Sequence, residues 1–181
     1  MKIKIDLSTK GIQDAIRQIQ AYRDSLPNKC RLFVEELANV GIYTADYHTV
    51  SPLIYFGKDI KNDTNGCKAI MFGQDISKII EQWVGEGGEV REAEVSPLLM
   101  AEFGSGRYAE NTQWFQGSDS LGGRGTFPEQ THAFDENGWW WMDLDGEWHH
   151  SYGFEPTQPM YHAWLEMYSQ IEQIAKKVFR S

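Results

Sequence analysis

The sequence predicts an α+β fold, in which a mostly antiparallel sheet packs against two N-terminal helices and a long C-terminal helix. Three patterns favour this class. Apolar residues recur at helical spacing in the N-terminal quarter of the chain, short apolar runs split by Gly, Asn and Asp begin at Ile54, and helical spacing returns at Pro159. Strands grouped between helices are typical of α+β proteins.

The N-terminal region is predicted to contain a short strand and two helices. The strand covers residues 2–7, and the hydroxyl of Ser8 or Thr9 can cap the first helix. We expect Pro27 to end that helix and a second helix to cover about 28–47. The apolar residues that define the two helices are Ile12, Ile16, Ile19, Leu26, Phe33, Leu37, Val40 and Ile42.

The middle of the chain is predicted to form the sheet. Strand segments are expected at 54–56, 67–72, 90–95 and 98–103. Residues 76–84 fit either a helix or a strand, and we favour a strand because the glycine-rich segment 85–88 is typical of a hairpin turn. A last strand is predicted over 139–144. Its aromatic residues point to both faces, so at least one face must be covered or must meet a partner.

Residues 104–138 contain many glycines and polar residues but little periodicity, which predicts a long irregular loop. Pro159 can then occupy the first position of the final helix. Its apolar residues continue to the end of the chain: Met160, Ala163, Trp164, Met167, Ile171, Ile174, Ala175, Val178 and Phe179. A length of 181 residues fits a single domain over 1–181 that contains this loop.

Composition argues against several classes of partner. The net charge of -9 and the pI near 5.0 oppose direct binding to a nucleic-acid backbone. Cys30 and Cys67 form no CxxC pair, which predicts two reduced thiols. We expect neither export nor membrane insertion, because the first residues lack a signal-peptide pattern and no run of about 18 apolar residues exists.

Carboxylates and histidines near the last strand could bind a metal, but no standard motif is present. Asp143, Asp145 and Glu147 alternate around Gly146 and superficially resemble a calcium loop, yet the bidentate glutamate of such loops is missing. The adjacent histidines at 149–150 would point to opposite faces of a strand. We therefore predict no metal and no cofactor.

Nucleophile and nucleotide motifs are also lacking. Ser105 stands between Gly104 and Gly106, but this spacing is not the GxSxG elbow of hydrolases. The glycine run at 122–125 is too short for a phosphate loop and lacks the following lysine. These glycines are better explained by tight turns, so we predict no catalytic residues and no enzymatic activity.

Aromatic residues are the strongest physical signal in the chain. Five of the seven tryptophans lie between residues 114 and 148. Tryptophan and tyrosine are enriched at interface hot spots, although core packing can account for some of these residues. We predict a protein interface formed by Trp114, Phe115, Phe127, Trp139, Trp140 and Trp141.

Several short motifs occur in a characteristic order. They are Glu102-Phe103-Gly104-Ser105-Gly106, Gly125-Thr126-Phe127-Pro128, His132-Ala133-Phe134, Gly138-Trp139-Trp140 and Pro159-Met160-Tyr161-His162-Ala163, preceded by Gly11-Ile12 and Leu37-Ala38. In this order the chain resembles the morphogenesis and tail-component family of long-tailed bacteriophages and prophages. Ser105 stands where the family has threonine, and residues 107–124 have no clear counterpart.

The resemblance implies a non-enzymatic virion protein that acts as a head–tail connector or in tail completion. Such proteins assemble into a ring with copies of themselves and contact other virion proteins, so the implied location is the virion and, during assembly, the host cytoplasm. The resemblance implies no catalytic residues. We expect Glu102, Phe103, Gly104 and Gly106 to form a buried turn or strand end that holds the fold.

Two other functions stay open. A carbohydrate-binding module could stack sugar rings on the cluster Trp139–Trp141. A small metal-dependent hydrolase could use four residues near the last strand: Asp143, Asp145, His149 and His150.

Overall fold

The computed structural model describes residues 6, 8–63, 66–108 and 136–180. Within these residues, three α-helices and two antiparallel sheets confirm the α+β class. The helices are α1 (Thr9–His48), α2 (Pro97–Phe103) and α3 (Pro159–Arg180). The strands are β1 (Ile54–Asp63), β2 (Gly66–Asp75), β3 (Ile79–Val84), β4 (Val90–Val95), β5 (Trp139–Met142) and β6 (Trp148–Ser151). Except for Asp6, the strand predicted over 2–7 lies outside the described residues.

The chain divides into two compact units. The first contains residues 1–43, 57–72 and 163–181, and the second contains residues 44–56 and 73–162. Four elements, α1, β1, β2 and α3, each supply residues to both units. The single domain over 1–181 stays a prediction.

Helix α1 runs unbroken through Pro27, so the predicted boundary between two N-terminal helices is wrong. Proline lacks the N–H that would donate to the carbonyl of Arg23, and it normally costs about 3 kcal/mol inside a helix. The apolar spacing explains why the helix continues. Leu26, Cys30 and Phe33 lie on one helical face before and after the proline, and all three are half-buried. The packing of that continuous face outweighs one missing hydrogen bond.

In the first unit, α3 packs against α1 in the antiparallel direction. Met167 lies beside Gly41, where a Cβ atom would come within 2.7 Å of the methionine sulfur. Near the other end of α3, the ring of Phe179 lies 5.8 Å from the ring of Phe33. The predicted C-terminal helix is confirmed, with its apolar residues Ile174 and Val178 buried.

Ion pairs join the later part of α1 to its neighbours in this unit. Lys58 of β1 donates to Glu35 at 3.1 Å and to the side-chain oxygen of Asn39 at 2.6 Å. Lys177 of α3 donates to Glu36 at 2.9 Å. The charges of both glutamates are therefore matched within the unit.

The second unit contains a four-stranded antiparallel sheet with the strand order β4-β3-β5-β6. Strands β3 and β4 pair along six residues, and β5 and β6 pair along four. Strands β3 and β5 meet at one pair, Val84 opposite Met142. The strands predicted at 54–56, 67–72 and 90–95 are confirmed, as is the strand favoured within 76–84, whereas the strand predicted over 139–144 ends at Met142. Leu144 lies in the turn after β5.

Both hairpins of this sheet close through the same five-residue turn. The first residue donates its backbone N–H to the carbonyl of the fifth, at 2.8 Å in residues 85–89 and at 3.0 Å in residues 143–147. The fourth residue is glycine with positive φ, 81° at Gly88 and 84° at Gly146. Glycine adopts this conformation without the steric penalty of a Cβ atom.

Residues 98–103 form part of helix α2, so the strand predicted there is wrong. The side chain of Ser96 caps the helix by accepting the N–H of Leu99 at 3.2 Å. Asp75 accepts the N–H of Leu98 at 2.8 Å. Periodicity alone does not separate strand from helix in a short, mainly apolar run, and here the two side-chain caps favour the helix.

Candidate functional site

The four-stranded sheet has one covered face and one open face. Residues directly opposite each other on antiparallel strands point to the same side, so the registers assign each strand residue to a face. We use the term open face for the side that contains Ile80, Gln82, Val84, Val90, Glu92, Glu94, Trp140, Met142, Trp148 and His150.

One row of apolar residues crosses all four strands on the open face. Val90 lies opposite Val84, Val84 lies opposite Met142, and Met142 lies opposite Trp148. Side chains at directly opposite positions are close enough to contact each other. The row is therefore a continuous apolar strip built from four separate segments of the sequence.

Large apolar side chains on this face are open to solvent. Ile80 is 65% exposed, Val90 62%, Trp140 64% and Trp148 63%. Single exposed apolar residues are common on protein surfaces, whereas a group of them on one face is typical of an interaction surface. The open face is therefore the candidate functional site.

The other side of the sheet is largely covered. Val95 is buried. Trp139 packs against Gly106, where φ is 61° and a Cβ atom would lie 2.5 Å from the indole ring, so only glycine permits this approach. Trp141 stacks on His149 with ring centroids 4.6 Å apart. Trp139 and Trp141 thus point away from the open face.

Neighbouring side chains orient Trp140 without burying it. Its ring lies 4.7 Å from the ring of His150, which in turn lies 4.5 Å from the ring of Tyr152. His150 Nε2 is 2.8 Å from the carbonyl oxygen of Asn137. The guanidinium of Arg107 lies over the Tyr152 ring at 4.3 Å. These contacts hold the aromatic group at the surface.

Asp143 organises the turn between β5 and β6. Its Oδ1 accepts the backbone N–H groups of Asp145 and Glu147 at 3.0 and 2.9 Å, and its Oδ2 lies 2.7 Å from Nε2 of His149. The hydrogen bond with His149, followed by that from Glu147, lowers the pKa of the Asp143 carboxyl. Within the described part of the chain, no group of three or more His, Cys, Asp or Glu residues could hold a metal ion.

The segments that form the sheet carry most of the net negative charge of the protein. Residues 78–95 and 136–151 contain nine acidic side chains and two basic ones, a net charge of -7 out of -9 for the whole chain. Both basic residues are paired, Lys78 with Glu94 and Arg91 with Glu89. The apolar open face therefore lies in a strongly acidic part of the protein.

Three of the six predicted interface residues are described by the structure. Trp114, Phe115 and Phe127 lie outside the described residues. The other three, Trp139–Trp141, are neighbours on β5, and of these only Trp140 belongs to the open face. A role of these residues in binding stays a prediction.

The motif Glu102–Gly106 contains the last two residues of α2 and the first residue of a 3₁₀ helix over Gly106–Tyr108, so it is not a strand end. The carboxylate of Glu102 accepts the backbone N–H groups of Met160 and Tyr161 at 2.8 and 3.1 Å. Glu102 thereby accepts hydrogen bonds from two N–H groups that have no acceptor inside α3, and it places negative charge at the positive end of that helix.

The rest of the motif also makes backbone contacts. Phe103 is the last residue of α2, and Gly104 donates its N–H to the carbonyl of Met100 at 2.8 Å. Ser105 is 5% exposed, and its hydroxyl accepts the N–H of Phe154 at 2.9 Å. The serine is therefore a buried group that bonds the backbone.

Sequence reasoning did not assign an interface role to Ile80, Val84, Val90, Met142 or Trp148. The sequence does contain a local pattern, since an apolar residue stands on each side of both five-residue turns. That pattern alone does not place the four residues in one row, because the row also requires the pairing of β3 with β5, which brings the two hairpins into one sheet.

Comparison of the chain with protein-family models, with curated proteins and with solved structures finds no match. No helix among the described residues is long and apolar enough to cross a membrane.

Proposed function

We propose that this protein is a non-enzymatic virion subunit of a tailed bacteriophage or prophage. It acts at the head–tail junction or in tail completion, by self-assembly and by contact with other virion proteins. The order of motifs from Glu102 to Pro159 motivates the phage assignment. The open face supports an assembly role, because clustered exposed apolar and aromatic residues are typical of protein-binding surfaces.

The single observation that carries this proposal is the apolar row Val90–Val84–Met142–Trp148. Burying a large apolar side chain contributes about 1.5–3 kcal/mol relative to leaving it in water. A partner that covers the row therefore gains free energy from several side chains at once, and assembly provides such a partner.

The test is the native mass of the purified protein across a wide concentration series, measured by light scattering after size exclusion. We expect discrete oligomers, with rings or tubes in electron micrographs. The variant Trp140→Ser/Trp148→Ser should shift the mass toward the monomer. Tyr43→Ser/Tyr47→Ser is the matched control, since it removes two exposed aromatic side chains from α1. A wild-type protein that stays monomeric at every concentration would contradict self-assembly.

A carbohydrate-binding module is the second candidate, and one observation favours it. Trp140 and Trp148 lie on the same side of one hairpin and are 64% and 63% exposed, as a platform for sugar rings requires. This function predicts that the monomer is retained on insoluble polysaccharide and that Trp140→Ser/Trp148→Ser abolishes retention. Passage of the wild-type protein through a panel of polysaccharides without delay would count against it.

A further inference from the structure

We propose that the open face of one copy binds the N-terminal half of α1 of a second copy, so that the chains assemble head to tail. This inference rests on the proposed function, because it requires self-assembly. The surface concerned on α1 is formed by Ile12, Ile16 and Ile19, which we name the α1 stripe.

The α1 stripe is an exposed apolar face of a helix. Ile12, Ile16 and Ile19 are 45, 49 and 52% exposed, and their spacing of four and three residues places them on one side of α1. Arg23 extends the same side by one more turn. The contact of α1 with α3 at Phe33 lies about four helical turns beyond Ile19, so the stripe is separate from that packing.

Charge favours contact between the α1 stripe and the open face. Residues 9–34 of α1 contain five basic and two acidic side chains, a net charge of +3, whereas the segments that form the sheet have a net charge of -7. Arg17 and Arg23 pair with Asp14 and Asp24, so the net charge of this segment comes from Lys10, Lys29 and Arg31. The glutamates that follow, Glu35 and Glu36, are paired with Lys58 and Lys177. Opposite charge on two apolar surfaces speeds their association and disfavours contact of either surface with its own kind.

The sizes of the α1 stripe and of the open face are also compatible. Helices pack on sheets through an apolar stripe, and four strands spaced about 4.8 Å apart give a face about 19 Å wide. From Ile12 to Ile19 the stripe is about 10 Å long, so it fits within the face. Helix α3 also exposes Trp164 and Tyr168, but its two acidic and three basic residues give a net charge of only +1, so charge favours it less than residues 9–34 of α1.

This contact uses two different surfaces of each copy, so every added copy presents one of them to the next. Heterologous contacts of this kind close into a ring if the rotation between copies allows it, and otherwise continue as a filament. A subunit with one of the two surfaces removed can end a chain but cannot extend it.

The experiment mixes two variants that are each impaired at one surface. Ile12→Ser/Ile16→Ser removes most of the α1 stripe, and Trp140→Ser/Trp148→Ser removes the two tryptophans of the open face. All four residues are exposed, so we expect both variants to keep the circular dichroism spectrum of the wild type. Each variant alone should be monomeric. An equimolar mixture should form a one-to-one dimer and no larger species, because each variant keeps the surface that the other has lost.

Three outcomes would overturn the inference. If the wild type assembles and either variant assembles equally well, the contact is wrong while the proposed self-assembly stands. If the wild type assembles, both variants are monomeric and their mixture also stays monomeric, the two surfaces do not bind each other. If the wild type is monomeric at every concentration, both the inference and the proposed self-assembly fail.

The charge contribution has its own test in the same mixture. Glu92→Gln/Glu94→Gln, introduced into the variant with the intact open face, should raise the dissociation constant of the mixed dimer several-fold, with a smaller effect at high salt. Asp46→Asn/Glu155→Gln removes two exposed charges outside the open face and is the matched control. An equal effect of both double substitutions would show that net charge, and not the open face, controls binding.

Discussion

The carboxylate of Glu102 accepts the backbone N–H of Met160 at 2.8 Å, a hydrogen bond between residues 58 positions apart in the sequence. The backbone reinforces this link, since the carbonyl of Ala101 accepts the N–H groups of Thr157 and Gln158 at 2.9 and 3.0 Å. In the second unit, the end of α2 therefore holds the chain where α3 begins.

Glu102→Ala should lower the free energy of unfolding by about 1–2 kcal/mol, because it leaves two N–H groups at the start of α3 without their acceptor. Glu102→Gln keeps one acceptor oxygen and should fall between Ala and wild type. Urea unfolding followed by circular dichroism measures both. Glu155→Gln, at an exposed position, is the control. Equal stability of Glu102→Ala and the control would contradict the capping role.

Pro27→Ala should stabilise the protein, by up to about 3 kcal/mol, because it restores an N–H donor inside an unbroken helix and removes the clash of the proline ring. Thermal and urea unfolding provide the measurement. Pro159→Ala should instead destabilise the protein, since Pro159 is fully buried in the first turn of α3. A less stable Pro27→Ala variant would show that the proline has a packing role.

Stability should decrease as the pH falls below the ordinary pKa of histidine, near 6.5. The rings of His48 and His162 stack with centroids 4.0 Å apart, and the rings of Tyr47 and Tyr161 lie beside them. Burial, followed by the proximity of His162, lowers the pKa of His48 from 6.5.

Protonation of His48 links the stability of the fold to pH. The unfolded chain binds a proton at His48 more readily than the folded chain does, so acid favours unfolding until His48 is protonated in both states. His48→Gln should reduce the fall in urea midpoint between neutral and mildly acidic pH. His150→Gln leaves the stacked pair intact, so its urea midpoint should fall by as much as that of the wild type. An unchanged pH profile in His48→Gln would rule out this pair as its source.

Adjacent tryptophans of β5 should respond differently to truncation. Trp139→Ala removes a ring that packs on Gly106 and should cost about 1–3 kcal/mol of unfolding free energy. Trp140→Ala removes a ring that is 64% exposed and should change stability by less than about 0.5 kcal/mol. Chemical unfolding of both variants measures the difference. Equal losses would contradict the assignment of the two residues to opposite faces.

The spacing of apolar residues was enough to predict a helix or strand wherever residues close in the sequence determine it. The apolar stripe that begins at Pro159 predicts α3, and the alternation of side chains along a strand implies that Trp140 and Trp141 point to opposite sides. Prediction was wrong where a distant contact or a shared face overrides a local signal. Asp75 helps to cap α2, and one continuous apolar face carries α1 through Pro27.

By itself, the sequence determined where apolar residues recur with helical or strand spacing, and hence the α+β class and the long C-terminal helix. Only the tertiary structure decided that Val84 lies opposite Met142, that the row of apolar residues crosses four strands, and that Glu102 caps α3. The physical reason is that side-chain spacing is a property of neighbouring residues. Strand order and register depend on which distant segments pack together, and no local pattern specifies that choice.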